Sequence, residues 1–193
     1  MRRIDGAYSR SVFLAHGMQL GVSMTSVKMD ALIRGDITGA VVHPSIIHIA
    51  HLWGTALSGK YHVPAHVDEE IMHFGLVFEA LDKMPPNIVT LLQVYSLMGL
   101  YFLFKRDISR GREFLLKASN VVLQYNLHIR SPGKHRSGDC MASPLVVATE
   151  IDEEMNALCQ LLYIDKVSNL LLNLPPFLGH QLDTDFRMIL VCG

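Results

Sequence analysis

The stretch HPSIIHIAHLWGTALSG, residues 43–59, decides the fold. Pro44 suits the first position of a helix, where its missing N–H would be unpaired in any case. An apolar face follows at i, i+4, i+7 and i+11, formed by Ile46, Ala50, Trp53 and Leu57. The other side carries His48, His51 and Thr55. Gly59 stands where glycine commonly ends a helix in the left-handed conformation. The stretch therefore predicts an amphipathic α-helix that begins at Pro44 and ends before Gly59.

The end of this stretch also has the glycine and lysine spacing of a phosphate-binding loop, from Gly54 to Lys60. That motif needs Ser or Thr after the lysine to bind magnesium, and here the residue is Tyr61. A phosphate-binding loop also follows a strand and opens a helix, whereas this segment closes one. We therefore interpret Lys60 as a cation near the exposed carbonyls of a helix C-terminus.

Two further helices follow directly along the chain. The first begins after Pro64, carries acidic residues in its first turn and ends at the Pro85-Pro86 pair. The second is the run from Asn87 to Phe104, which has no charged residue. A membrane span needs about 20 predominantly apolar residues, and this run is shorter and includes several polar side chains. We therefore predict a buried central helix and no contact with a membrane.

Another two helices lie in the second half of the chain. One starts at a cap formed by Asp107 or Ser109 and runs to about Leu127. The other starts at Thr149, which has the spacing of a capping box with Asp152, and continues with leucines until prolines stop it after Asn173. Between them, residues 128–148 contain glycine, proline, serine and basic residues, which predicts a long mobile loop.

No strand pattern of comparable strength is present. About five main helices joined by turns predict an all-α fold of antiparallel helical hairpins, packed as a bundle or a short solenoid. We expect an irregular N-terminal segment over residues 1–42, compatible with a short helix from Tyr8 to Leu20 and broken into loop by glycines after it. An all-α domain is expected over residues 43–187, cut short at its C-terminus.

Composition excludes several classes of function. Of the 193 residues, half are hydrophobic and 18% are charged, which is too apolar for a disordered regulator. The net charge of −1 gives no overall basic field for nucleic acid. The basic residues of one cluster are mixed with acids, which indicates a solvated turn: Lys105, Arg106, Arg110, Arg112 and Lys117. Cys140, Cys159 and Cys192 form no CxxC pair, which argues against a cysteine zinc site.

The sequence predicts no catalytic, cofactor-binding or metal-binding residue. Ten histidines invite a metal hypothesis, and His48 and His51 share a helix face. That helix contains no acidic residue and the chain has no HExxH motif, so we interpret these histidines as surface or capping residues. Cys159 lies inside a leucine-rich helix and is interpreted as a small core residue.

Two polar residues fall within otherwise apolar helices and need partners. Gln93 in the uncharged helix requires a hydrogen-bond partner if it is buried. Asp165 requires a cation or a donor, and Lys166 is too near in sequence to lie on the same helix face. We therefore expect Asp165 to act as a structural pin that bonds another helix or the Pro175-Pro176 loop.

Three stretches, taken together, resemble the fungal-specific transcription factor domain, the middle homology region of fungal zinc binuclear cluster regulators. The first runs from His43-Pro44 through Trp53-Gly54 to Leu57-Ser58. The second runs from Leu92-Gln93 through Tyr101, Gly111 and Ala118 to Leu127-His128. The third runs from Glu154 through Asp165-Lys166 to Pro175-Pro176 and Asp183. Their order and spacing fit over roughly residues 8–187.

The resemblance implies a regulatory domain of a nuclear transcription factor. It implies structural roles for Trp53 and His128, which stand in the matching motifs. In such proteins a six-cysteine zinc cluster binds DNA and the middle domain holds the activator in check, sometimes by sensing a small metabolite. The implied partners are other protein domains, a second copy of the chain or the transcription machinery. Zinc and DNA would be bound only by a cysteine cluster that this chain does not contain.

Two other classes of function remain open from the sequence. The first is a non-catalytic helical adaptor, a protein-interaction module unrelated to transcription, although no repeat period is visible between the helix pairs. The second is an enzyme for a small molecule, which would need an assembled set of acid, base or nucleophile.

Overall fold

The computed structural model describes residues 6–22, 24–58, 64–127, 150–176 and 178, and of residues 64–66 and 150–152 it describes the backbone alone. Within these ranges the chain forms seven helices and no strand, which confirms the predicted all-α class and a helical bundle. The helices are α1 Gly6–Ala15, α2 Ser26–Arg34, α3 Pro44–Leu57, α4 Pro64–Lys83, α5 Ile88–Phe104, α6 Ile108–Gln124 and α7 Glu150–Leu172.

Helix α3 begins as the sequence predicted and is the most enclosed element of the described chain. His43 caps it, since its Nδ1 accepts a hydrogen bond from the Ser45 backbone N–H at 3.2 Å. The prediction of a single apolar face was wrong, because His51 and Thr55 are buried as well. Helices α1, α2, α4 and α5 all pack against α3, so nearly every side of it is covered. The predicted terminal role of Gly59 lies outside the described residues.

The N-terminal region contains helix α2 where the glycines of the sequence predicted a loop. Thr25 caps α2, and Gly35 ends it in the left-handed conformation at φ 71°. The backbone N–H groups of Gly35 and Asp36 bond the carbonyls of Leu32 and Ala31, the pattern of a Schellman motif. Gly35 therefore ends a helix, and the prediction that it lies within a loop was wrong.

Two clusters of buried side chains hold the helices together. The first surrounds α3 and takes Phe13 from α1, Leu32 from α2 and Leu97 from α5. The second lies between α5, α6 and α7 and includes Leu115 and Leu161. Helix α5 contributes to both clusters, which explains its uncharged sequence. None of the described helices has the length and apolarity needed to cross a bilayer.

The turns between helices follow the predicted chemistry where they are described. Helix α4 ends at Lys83, before the Pro85-Pro86 pair. Asn87 caps α5 by accepting a bond from the Thr90 backbone N–H at 2.8 Å. Of the two candidates for α6, Asp107 is the cap and accepts from the Arg110 N–H at 3.1 Å. The expected loop at 128–148, the Thr149 cap and the chain end after 178 lie outside the described residues.

Candidate functional site

Trp53 lies at the centre of the first core cluster and is 2% exposed. Its indole Nε1 donates a hydrogen bond to the Leu97 carbonyl of α5 at 3.2 Å. Its ring meets the ring of Tyr101 edge to face, with centroids 5.7 Å apart, and lies 5.6 Å from the ring of Phe104. These contacts give Trp53 a packing role between α3 and α5.

Gln93 is buried on α5 and lines a polar hollow of about 310 Å³. The hollow lies beside the turn between α4 and α5 and is also lined by Thr90, His43 and Glu153. A polar space of this size can hold water that bonds the Gln93 amide. His128, for which the resemblance implies a structural role, lies outside the described residues.

Asp165 is 1% exposed on α7, and the backbone N–H of Leu178 donates to its Oδ1 at 3.3 Å. The segment after α7 is held at two further points, because Asn169 bonds the Leu174 carbonyl and Arg112 of α6 bonds the Pro175 carbonyl. The carboxylate therefore lies where the chain turns back past the two prolines. The expectation that Lys166 lies away from Asp165 was wrong, since Lys166 Nζ is 3.3 Å from Oδ2.

Asp165→Ala is expected to lower the free energy of unfolding by about 1–3 kcal/mol, because it leaves the buried Leu178 N–H without its acceptor. Thermal and urea unfolding followed by circular dichroism measure the loss. Asp165→Asn is the matched control, since its amide oxygen still accepts from Leu178, and it should lose less. An unchanged melting temperature in the alanine variant would argue against the structural role.

An apolar cleft of about 680 Å³ opens between α5, α7 and the segment 18–22 that follows α1. Leu100 and Leu103 of α5 form one wall, and Tyr163, Ile164 and Val167 of α7 form another. Gln160 fixes the third wall, because its side-chain amide donates to the Leu20 carbonyl. Few polar side chains line the cleft, among them Asn156, Gln160 and Ser168. Its volume and lining are typical of small-molecule sites.

Cys159 lies in the wall of this cleft and is half-buried. It is thus a cleft residue and only partly the core residue predicted from the sequence. Burial raises the pKa of its thiol, so the side chain stays protonated at neutral pH. A protonated thiol is a weak nucleophile, which leaves Cys159 an apolar contact for whatever enters the cleft.

A second polar group of side chains lies between α3 and α4. The rings of His51 and His73 are stacked with centroids 3.8 Å apart, and His48 Nδ1 is 3.2 Å from His73 Nδ1. His51 Nε2 lies 3.4 Å from Glu69 Oε1. The interpretation of histidines as capping residues is thus right for His43 and wrong for His51, which is 5% exposed inside the bundle.

Burial lowers the pKa of all three imidazoles in this group and takes the pKa of His73 to about 3. The charges of the neighbouring histidines and of Arg10 act in the same direction on His73. For His51, the Glu69 carboxylate opposes the effect without overcoming it. The rings are therefore uncharged at neutral pH, so they are the form of histidine that can bind a metal ion.

Comparison of the chain with protein-family models, with curated proteins and with solved structures returned no match.

Proposed function

We propose that this chain is the regulatory domain of a fungal nuclear transcription factor, a non-catalytic all-α unit that controls a zinc-cluster DNA-binding domain outside it. The observation that carries the proposal is the ordered set of three stretches that resemble the middle homology region. The all-α fold agrees with what that resemblance implies.

Several of the described residues that carry the resemblance lie at helix ends or close contacts, and this supports the proposal. His43-Pro44 begins α3, and Trp53-Gly54 lies where α3 meets α1 and α5. Gly111 and Ala118 are buried on α6, and Asp165 holds the segment after α7. Two proteins with the same fold need such residues at the same positions, because these residues cap helices or allow helices to pack closely, even where the rest of the two sequences differs.

The basic cluster that runs from the end of α5 into α6 gives a second line of support, since it suggests that DNA is bound by another domain. Lys105 lies 2.9 Å from Glu70, and Lys117 lies 2.7 Å from Glu113. The Arg112 guanidinium bonds the Pro175 carbonyl at 2.7 Å. Basic side chains with these partners are poorly placed to neutralise a row of phosphates.

The cleft beside α7 offers a means of control in this proposal. A small apolar metabolite with one polar group would bury its apolar part against Leu100 and Leu103 and would bond Gln160 or Ser168. Because Gln160 also fixes the segment 18–22, an occupant would act on the contact between α7 and the N-terminal helices. Binding of the metabolite would thus change how α7 packs against the rest of the bundle.

The proposal predicts that the chain lowers the output of an activator to which it is joined. A zinc-cluster DNA-binding domain would be fused to an activation segment, with and without this chain between them, and a reporter gene measured at matched protein levels. An electrophoretic shift with the purified chain alone provides the control and should show no sequence-specific complex. Unchanged reporter output from a folded fusion would favour a helical adaptor. A specific complex between the chain and DNA would contradict the proposal that another domain binds the DNA.

A further inference from the structure

His51, Glu69 and His73 place metal-ligating atoms close together between α3 and α4, with His51 buried and the other two half-buried. Their ligand atoms all lie within 4.8 Å of one another. His51 Nε2 is buried and makes no hydrogen bond to any described residue. At 3.4 Å, its distance to Glu69 Oε1 is longer than a strong hydrogen bond. A buried polar atom without such a partner requires an explanation.

We propose that His51, Glu69 and His73 bind a divalent transition-metal ion, with Zn²⁺ the best fit, and that the ion joins α3 to α4. Two imidazoles and one carboxylate form a ligand set that zinc accepts, with water in the fourth position. Ligand atoms at about 2.0–2.2 Å from a tetrahedral ion stand about 3.4 Å apart. The His51–Glu69 pair already has this separation.

His48 completes the arrangement as a positioning residue. His48 Nδ1 and His73 Nδ1 are within hydrogen-bond distance, and since both rings are neutral, one nitrogen carries the hydrogen and donates the hydrogen bond to the other. If His73 is the donor, its Nε2 keeps a lone pair for the ion. Metal-bound histidines commonly donate their second N–H to an outer acceptor, which fixes the ring and its tautomer. His48 on α3 provides that acceptor.

Binding requires a small rearrangement and works against one nearby charge. The rings of His51 and His73 are stacked at an interplanar angle of 28°. Because the lone pairs of imidazole nitrogens lie in the ring planes, one ring must tilt before both can reach a single ion. Arg10 of α1 lowers the pKa of all three histidines through its positive charge, and the same charge opposes a bound cation. The Glu69 carboxylate offsets it, which makes Glu69 essential to the site.

The test is a titration of the purified chain, stripped of metal with a chelator that is then removed. Zn²⁺ is expected to bind with one ion per chain by calorimetry and to raise the melting temperature, whereas Mg²⁺ does neither. Co²⁺ is expected to give the visible absorption of a four-coordinate ion. Absence of Zn²⁺ binding to the folded wild-type chain would overturn the inference.

Variants assign the binding to these residues. His51→Ala, Glu69→Gln and His73→Ala should each abolish the Zn²⁺-dependent rise in melting temperature, and His48→Ala should weaken binding by about 10–100-fold. His16→Ala and Glu113→Gln are matched controls on exposed surfaces and should bind as wild type does. Glutamine has nearly the same shape as glutamate, so the Glu69→Gln variant tests the metal site even if the alanine variants do not fold. Unchanged affinity in folded Glu69→Gln would overturn the site.

Discussion

Gly54→Ala is expected to lower the free energy of unfolding by about 3 kcal/mol or more. A Cβ atom at Gly54 would lie 1.8 Å from the carbonyl oxygen of Ser9 and 2.4 Å from its carbonyl carbon. Both are backbone atoms of α1, so no side-chain rotation relieves the clash. Helix α1 must shift away from α3, and Phe13, which is fully buried, must move with it. Urea unfolding followed by far-ultraviolet circular dichroism measures the loss.

Gly75→Ala is the matched control for this substitution. Gly75 lies inside α4, and a Cβ built there meets no atom within 4 Å. Alanine favours a helix over glycine by about 1 kcal/mol, so this variant should be as stable as wild type or more so. If Gly54→Ala is as stable as Gly75→Ala, the backbones of α1 and α3 do not cross closely at Gly54.

Trp53→Ala is expected to cost about 3–5 kcal/mol, the usual range for removing a large aromatic ring from a core. The indole fills the space between α3 and α5 and touches the rings of Tyr101 and Phe104. Loss of the ring leaves a cavity that helices fixed at other points cannot close. Because Trp53 is the only tryptophan of the chain, unfolding must be followed by circular dichroism in place of its fluorescence.

Trp53→Phe separates packing from hydrogen bonding at this position. Phenylalanine keeps most of the apolar contact, but its ring is smaller and it lacks the N–H that donates to the Leu97 carbonyl at 3.2 Å. A smaller loss than in Trp53→Ala is expected. Equal losses in the two variants would show that the hydrogen bond, and not the ring volume, dominates at Trp53.

Hydrophobic periodicity and capping residues were sufficient to predict α3 to α6 and the end of α7. These signals are local, and they act within one or two turns of the chain. Helix α2 was missed because glycines on both sides of it were interpreted as breaks, although Gly35 ends a helix of nine residues. A short helix whose stability comes from packing carries a weak signal in its own sequence.

The sites were harder to predict because their residues come from separate helices. His51 and the Glu69–His73 pair lie on α3 and α4, and only the crossing of these helices brings them together. The cleft could not be predicted without knowing how α7 packs against α5. One signal was present in the sequence, since α7 carries Tyr163, Leu170 and Leu171, which the structure leaves exposed, in addition to its buried leucines. An apolar residue on every side of a helix indicates that more than one face is used.

Reporter output from the zinc-cluster fusion, compared between the wild-type chain and its Gly54→Ala variant, tests the proposed role of the bundle as a whole. If regulation depends on intact packing of α1 against α3, the wild-type chain lowers the output and the variant restores it, at equal protein levels. The Gly75→Ala fusion should repress as wild type does. Equal output from the wild-type and Gly54→Ala fusions would contradict a regulatory role for this fold.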